Sequence, residues 1–123
     1  MASQSQYTNA VLEHYKNPYN YGVLQSPDYS HEATNRICGD RIRLDVNVEN
    51  GHISEVRFSG RGCALSIAAT SILTTMIKGQ PIEKSVQIEL AQILEQLGLE
   101  SNLRRSRLNC AMLGLKALNA AIT

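Results

Sequence analysis

Residues 36–60, RICGDRIRLDVNVENGHISEVRFSG, decide how this chain folds. From Arg41 onward Ile42, Leu44, Val46 and Val48 alternate with Arg43, Asp45 and Asn47. Successive side chains of a strand point to opposite faces, so this alternation predicts a strand with one buried face. Asn50-Gly51 follows, the strongest short hairpin signal because both residue types accept positive φ. The return strand, HISEVRFSG, has Val56 and Phe58 on one face and Ile53 out of phase with them, which predicts a bulge or an early edge. At the doorstep of the hairpin, Cys38 and Asp40 flank Gly39, a residue that lets the backbone fold back so that a thiolate and a carboxylate can converge. Such convergence is how a metal site begins.

Outward from the hairpin the period becomes helical. Toward the N-terminus, Tyr7, Val11, His14 and Tyr15 share one helical face, and Asn17-Pro18 with Gly22 beyond ends that helix. A loop of about fifteen residues is expected to lead from there to Cys38. Toward the C-terminus, CALSIAATSILTTMIKG places Leu65, Ala68, Ala69, Ile72, Leu73, Met76 and Ile77 at helical spacing, with Gly79 as the stop. This predicts a core helix beginning at Cys63. A second helix is read from Pro81 through Val86, Leu90, Ile93, Leu94 and Leu97 to Gly98. ESNLRRSRLN reads as a polar linker, and the Ala- and Leu-rich CAMLGLKALNAAI as a last helix beginning at Cys110. No repeat or low-complexity tract is visible. The expected class is α+β, a small antiparallel sheet of about three strands packed against a group of helices.

The 123 residues, 43% of them hydrophobic, suffice for one ordinary domain spanning 1–123 without staples. Twelve Lys and Arg balance eleven Asp and Glu, with no basic stripe interleaved with aromatics, so nucleic acid is not an expected partner. No stretch approaches the ~20 apolar residues of a membrane span. The polar start MASQSQYTNA lacks the apolar segment of a secretory signal. Three cysteines form an odd set without a close pair, which suits a reducing compartment and predicts a cytoplasmic protein with its thiols available for chemistry.

Each of the three thiols lies at an expected element boundary. Cys38 precedes the first strand, and Cys63 and Cys110 are read at helix N-termini, where the positive dipole end favours thiolate. A single free cysteine is often a small apolar filler of a core. Three at boundaries argue for chemistry instead. They are separated by 24 and 46 residues, which is no zinc-finger spacing, so the site must be assembled by tertiary folding. Asp40 alone would read as a turn or cap residue; two positions from Cys38 it becomes a ligand candidate. Arg104, Arg105 and Arg107 read as a solvated basic face that could also lower the pKa of Cys110. Of the histidines, His14 falls on a helix face, His52 at a turn and His31 in a loop, where only His31 is near enough to Cys38 in sequence to be a remote ligand.

These motifs resemble the U-type iron-sulfur cluster assembly scaffolds, the group containing IscU, SufU and the N-terminal domain of NifU. HYKNPYNYGVL is similar to the opening signature of that family, CGDRIRLDVNV to its first cysteine motif, FSGRGCALSIAATS to its second and RLNCAMLGLKAL to its third. The likeness runs nearly end to end. It implies that Cys38, Cys63 and Cys110 hold a transient [2Fe-2S] cluster or a Zn(II) ion, with Asp40 as a further ligand or adjacent carboxylate. It also implies a cysteine desulfurase as partner, with Cys110 and Cys63 as candidate persulfide acceptors, and apo iron-sulfur proteins as recipients. Thiolates suit iron-sulfur and zinc, and a hard carboxylate among soft ligands eases release of a cluster. Asn109 stands where the IscU branch has a histidine, and SNLRRSRLN stands where that branch has the Leu-Pro-Pro-Val-Lys segment for its chaperone, so that chaperone is not expected. Asn109 and Arg107 resemble the SufU branch, whereas the distance from Cys63 to Cys110 resembles the IscU branch.

Two functions from different classes follow. One is a non-enzymatic scaffold that accepts iron and sulfur, builds a cluster and passes it on. The other is a sulfur-transfer protein in which Zn(II) sits in Cys3Asp geometry and a cysteine freed from the metal takes persulfide. A thiol-disulfide oxidoreductase is disfavoured by the lack of a Cys-x-x-Cys pair.

Overall fold

The computed structural model describes residues 8–100 and 103–122. Tyr7, placed above on the first helical face, and Ser101-Asn102 of the expected linker lie outside the described residues. The order is α1 (Asn9–Lys16), β1 (Tyr29–Asn35), β2 (Asp40–Glu49), β3 (His52–Arg61), α2 (Ala64–Ile77), α3 (Ile82–Ser85), α4 (Leu90–Gln96), α5 (Arg105–Ala111) and α6 (Leu113–Ile122). The class is α+β, as the patterning predicted.

The three strands form one antiparallel sheet in the order β1-β2-β3. Asn50 and Gly51 turn the β2–β3 hairpin with φ of 54° and 77°, the conformation for which those residue types are suited. Val46 pairs with Val56 but Val48 pairs with Ile53, so β3 carries one extra residue at Ser54. That bulge restores Ile53 to the core face beside Val56 and Phe58, and all three are fully buried.

Ile42, Leu44 and Val46 share one face of β2, which packs against α6 while β3 packs against α2, and the two helices close the core with Leu65, Leu73, Leu113 and Leu118. α2 is apolar nearly all round and buried over most of its length, as expected of a central helix. α1 lies against it through Val11 and through His14, whose Nδ1 is 2.7 Å from Ser71 Oγ. Tyr15 turns outward and is 47% exposed, so the predicted face of α1 is narrower than expected. No helix among the described residues is long and apolar enough to cross a membrane.

Four expectations are corrected. The presumed loop before Cys38 contains β1, which has little apolar alternation and joins the sheet through its ladder with β2. The helix read from Pro81 to Gly98 is two short ones, α3 and α4, broken at Val86–Glu89. Part of the presumed polar linker, from Arg105, is helical. The last helix therefore starts before Cys110 and breaks at Met112, leaving Cys110 next to the C-terminal residue of α5 instead of at an N-terminus.

Candidate metal centre

The site is built where three elements end together. Cys38 and Gly39 lie in the turn between β1 and β2, Gly39 with φ of 75°. The register puts Asn35 opposite Asp40 at the first rung, so this tight turn projects Cys38 beyond the sheet and leaves it exposed. Asp40 begins β2 and points to the helical side, only 8% exposed.

Cys63 occupies the N-cap position of α2 but makes no side-chain cap. Asp40 supplies the cap from across the sheet: its Oδ2 accepts the Cys63 N–H at 3.3 Å and the Ser66 hydroxyl at 3.4 Å. Ser66 Oγ is also 3.0 Å from the Cys63 carbonyl, so its one proton is shared between that carbonyl and Asp40. A carboxylate at a helix N-terminus is stabilised by the unpaired N–H groups and the dipole there, so α2 positions Asp40 whether or not it binds a metal. Ser66 was not anticipated; a hydroxyl one turn into a helix whose first residue is a cysteine was the available signal.

Cys110 reaches the same point from α5. Its Sγ is 3.8 Å from that of Cys38, and these two sulfurs and an Asp40 oxygen lie within 4.8 Å of one another. Cys63 is not part of that 4.8 Å group but stands near enough to Cys110 to raise its pKa. The Cys110 thiol is pushed up to about 12, first by burial and then by the neighbouring Cys63 and Cys38. This reverses the expectation of a helix-activated thiolate there: Cys110 sits at the negative end of α5, and Arg104, Arg105 and Arg107 do not bring its pKa down. Asn109 lines a shallow depression with Asn35, Arg36, Ile37 and Lys116 beside the Cys38 turn. His31 is exposed on β1 opposite Leu44, four positions along the ladder from Asn35, and His14 and His52 are bound to Ser71 and the Asn50 carbonyl.

The donor set suits a thiophilic metal. Two thiolates sharing one tetrahedral Zn(II), at Zn–S bonds of ~2.3 Å, stand about 3.8 Å apart, which is the Cys38–Cys110 separation. The Asp40 carboxylate and a third thiol adjoin that pair.

The chain is similar to known proteins over nearly its whole length. Residues 6–123 match the family model described as the NifU-like N-terminal domain. The chain is 39% identical over 119 residues to the iron-sulfur cluster assembly scaffold protein IscU of Aquifex aeolicus, covering 95% of this chain and 74% of that protein. It is 32% identical over 133 residues to the zinc-dependent sulfurtransferase SufU of Bacillus subtilis, covering 94% and 88% respectively. Among solved structures, a putative SUF-system scaffold protein from Fervidobacterium islandicum superposes with a TM-score of 0.86 at 21% identity, over 98% of this chain and 99% of that one.

Proposed function

The chain belongs to the NifU-like N-terminal domain family, and from that premise we propose that it is an iron-sulfur cluster assembly scaffold. In this reading a cysteine desulfurase supplies sulfane sulfur, Cys38, Cys63 and Cys110 hold iron and sulfide as a nascent [2Fe-2S] cluster, and the cluster passes to apo-proteins of the cytoplasm. The observation that carries it is the meeting of Cys38, Asp40 and Cys110 from different elements, with Cys63 at their side. Cys38 is open to solvent while Cys110 is buried, so cargo enters and leaves from the Cys38 side. Asp40 keeps a hard oxygen beside the cargo without being a soft ligand, which favours release.

The cluster is cargo, and its assembly consumes electrons: two sulfane sulfurs need four to become sulfide, and two Fe(II) going to Fe(III) provide two. A reductant must therefore supply the rest. Anaerobic incubation with Fe(II), cysteine, a cysteine desulfurase and dithiothreitol tests the reading. Matched iron and acid-labile sulfide, transferable to an apo-ferredoxin and lost in Cys63→Ala and Cys110→Ala variants that keep the fold, is the expected outcome. Retained loading in both variants would refute it.

One observation favours a second reading, zinc-bound sulfur transfer: the 3.8 Å sulfur pair is the span of two thiolates on a single ion. The zinc-dependent relative supports the same reading. Here Zn(II) would hold the thiolates at neutral pH, and a persulfide would form when the thiolate of Cys110 or Cys63 attacks the outer sulfur of the desulfurase persulfide, releasing the desulfurase thiolate. Retained zinc and no iron in the same experiment, with persulfide accumulating when dithiothreitol is left out, selects this reading over the scaffold.

A further inference from the structure

The solvent face of the β2–β3 hairpin carries four arginines, and two of them are arranged unlike the others. Arg43 bonds to Asp45 at 2.9 Å and Arg57 to Glu55 at 2.8 Å. Arg41 and Arg61 stand directly opposite each other in the ladder, both exposed, and among the described residues neither has a carboxylate partner. Like charges directly opposite weaken a strand pair, so the fold carries a strain at this rung that an anion would relieve. On β1 the same rung is continued by Thr34, which is neutral. Arg41 follows Asp40 and Arg61 lies two residues before Cys63, so the pair stands at the site-bearing end of the hairpin, on the face of the sheet opposite Asp40.

Beside the pair is a shallow depression of about 300 Å³, walled by Tyr15, Pro18, Tyr21 and Ile67, with Arg61 at its edge. Tyr21 is half exposed yet fixed: its hydroxyl donates to the Gly60 carbonyl at 2.9 Å and its ring meets Phe58 edge-on at 5.1 Å. Exposed tyrosines already held in place lose little entropy on contact, and tyrosine with arginine is the composition that dominates binding energy at protein interfaces. The hairpin's far end carries Glu49 and Glu55, which would repel an acidic partner and so orient it toward the thiols.

We propose that the Arg41–Arg61 pair and the tyrosine-walled depression next to Arg61 dock an acidic segment of a partner protein, carboxylates against the two guanidiniums and one apolar side chain in the depression. This holds whichever cargo the thiols carry. A nucleic acid fits less well, because a phosphate backbone needs a continuous cationic track. Here Glu32 stands opposite Arg43, one ladder step beyond the pair's neighbour, and the net charge is only +1.

The test is fluorescence anisotropy of a short labelled Glu-rich peptide with a central Phe, against its Lys-rich counterpart and a labelled single-stranded oligonucleotide. The acidic peptide should bind and weaken as salt rises from about 50 to about 200 mM. The double variant R41T/R61T should weaken it about tenfold or more, while R41K/R61K stays within about threefold of wild type. Because the substitution also removes the like-charge rung, R41T/R61T should melt about 2 °C higher than wild type, which shows that lost binding is not lost folding. Equal peptide binding by R41T/R61T, equal binding of the Lys-rich peptide, or an oligonucleotide that binds more tightly and displaces the acidic peptide would each overturn the proposal.

Discussion

Asp45 lies on the solvent side of the sheet, yet it is 1% exposed. The chain between α1 and β1 crosses that side, and Asp45 fastens it: the carboxylate accepts the Leu24 N–H at 3.1 Å, the Ser30 hydroxyl at 2.6 Å and Arg43 Nε at 2.9 Å. Burial alone would raise this carboxyl, but the bonds from Ser30, Arg43 and Leu24, with the charge of Arg43, outweigh it and hold the pKa below the ordinary value. A depressed folded-state pKa contributes stability above the unfolded value of about 3.9, and that stability is lost as pH falls through the folded value. Asp45→Asn should therefore cost about 1–3 kcal/mol at neutral pH. The gap to wild type should close as urea melts are taken down toward pH 3; a gap independent of pH would mean that charge is not what matters there. The thiols also differ as residues. Cys38 is exposed and Cys110 is 7% exposed with its proton held by burial and by the two other sulfurs. Iodoacetamide should accordingly label metal-free protein at Cys38 first and at Cys110 more slowly by about tenfold or more, read by peptide mass spectrometry. Equal rates would show that the buried sulfur cluster does not persist without metal.

At the scale of elements, the end of the hairpin that bears the site depends on Gly60. Its φ is 133°, and a Cβ there would collide with the Arg41 carbonyl oxygen across the ladder. Gly60→Ala should cost about 2 kcal/mol or more, lowering the urea midpoint with little change in slope, and it should loosen the Arg61–Cys63 corner before the far end of the hairpin. An unchanged midpoint would show that β2 and β3 separate there at no cost. The hairpin and α2 were legible in the sequence because each carries its own signal: period-two alternation around Asn50-Gly51, and a long apolar run after two glycines. The bulge at Ser54 was legible for the same reason, since Ile53 was out of phase. β1 was not, because Tyr29–Asn35 is an edge strand, exposed at Ser30, His31, Glu32 and Thr34, whose pairing is dictated by β2 and not by its own pattern. α5 was hidden in a run of arginines; what holds it is packing on α2 and α6, a tertiary fact. The positions of Cys38, Asp40 and Cys63 at a turn, a strand start and a helix N-cap were legible from turn and helix signals, whereas the environment of Cys110 was inverted because the start of α5 was read five residues too late.

Over the whole molecule, the candidate centre is the point at which separately supported parts meet. The sheet is tied to α2 and α6 by the apolar core, and α1 is tied to α2. α5 has seven residues, too few to be stable alone, and its link to the β1–β2 turn is the meeting of Cys110 with Cys38. A metal held by Cys38, Asp40, Cys63 and Cys110 would join that turn, the start of α2 and the end of α5 in one bond network. Ligand binding to the folded state alone stabilises it by RT ln(1 + [L]/Kd), about 2.7 kcal/mol at a hundredfold excess over Kd. Part of that energy goes into ordering the weakest elements, because metal binding and local folding are one process. Zinc should therefore slow amide exchange at Cys38–Gly39, Gly62–Cys63 and through α5, while the middle of α2, already buried on all sides, keeps its rates below the global limit. Exchange followed by mass spectrometry, with zinc and after chelation, distinguishes this from its alternatives. Protection rising uniformly along the chain would make the metal a global staple, and no change at α5 would mean that Cys110 is not among its ligands.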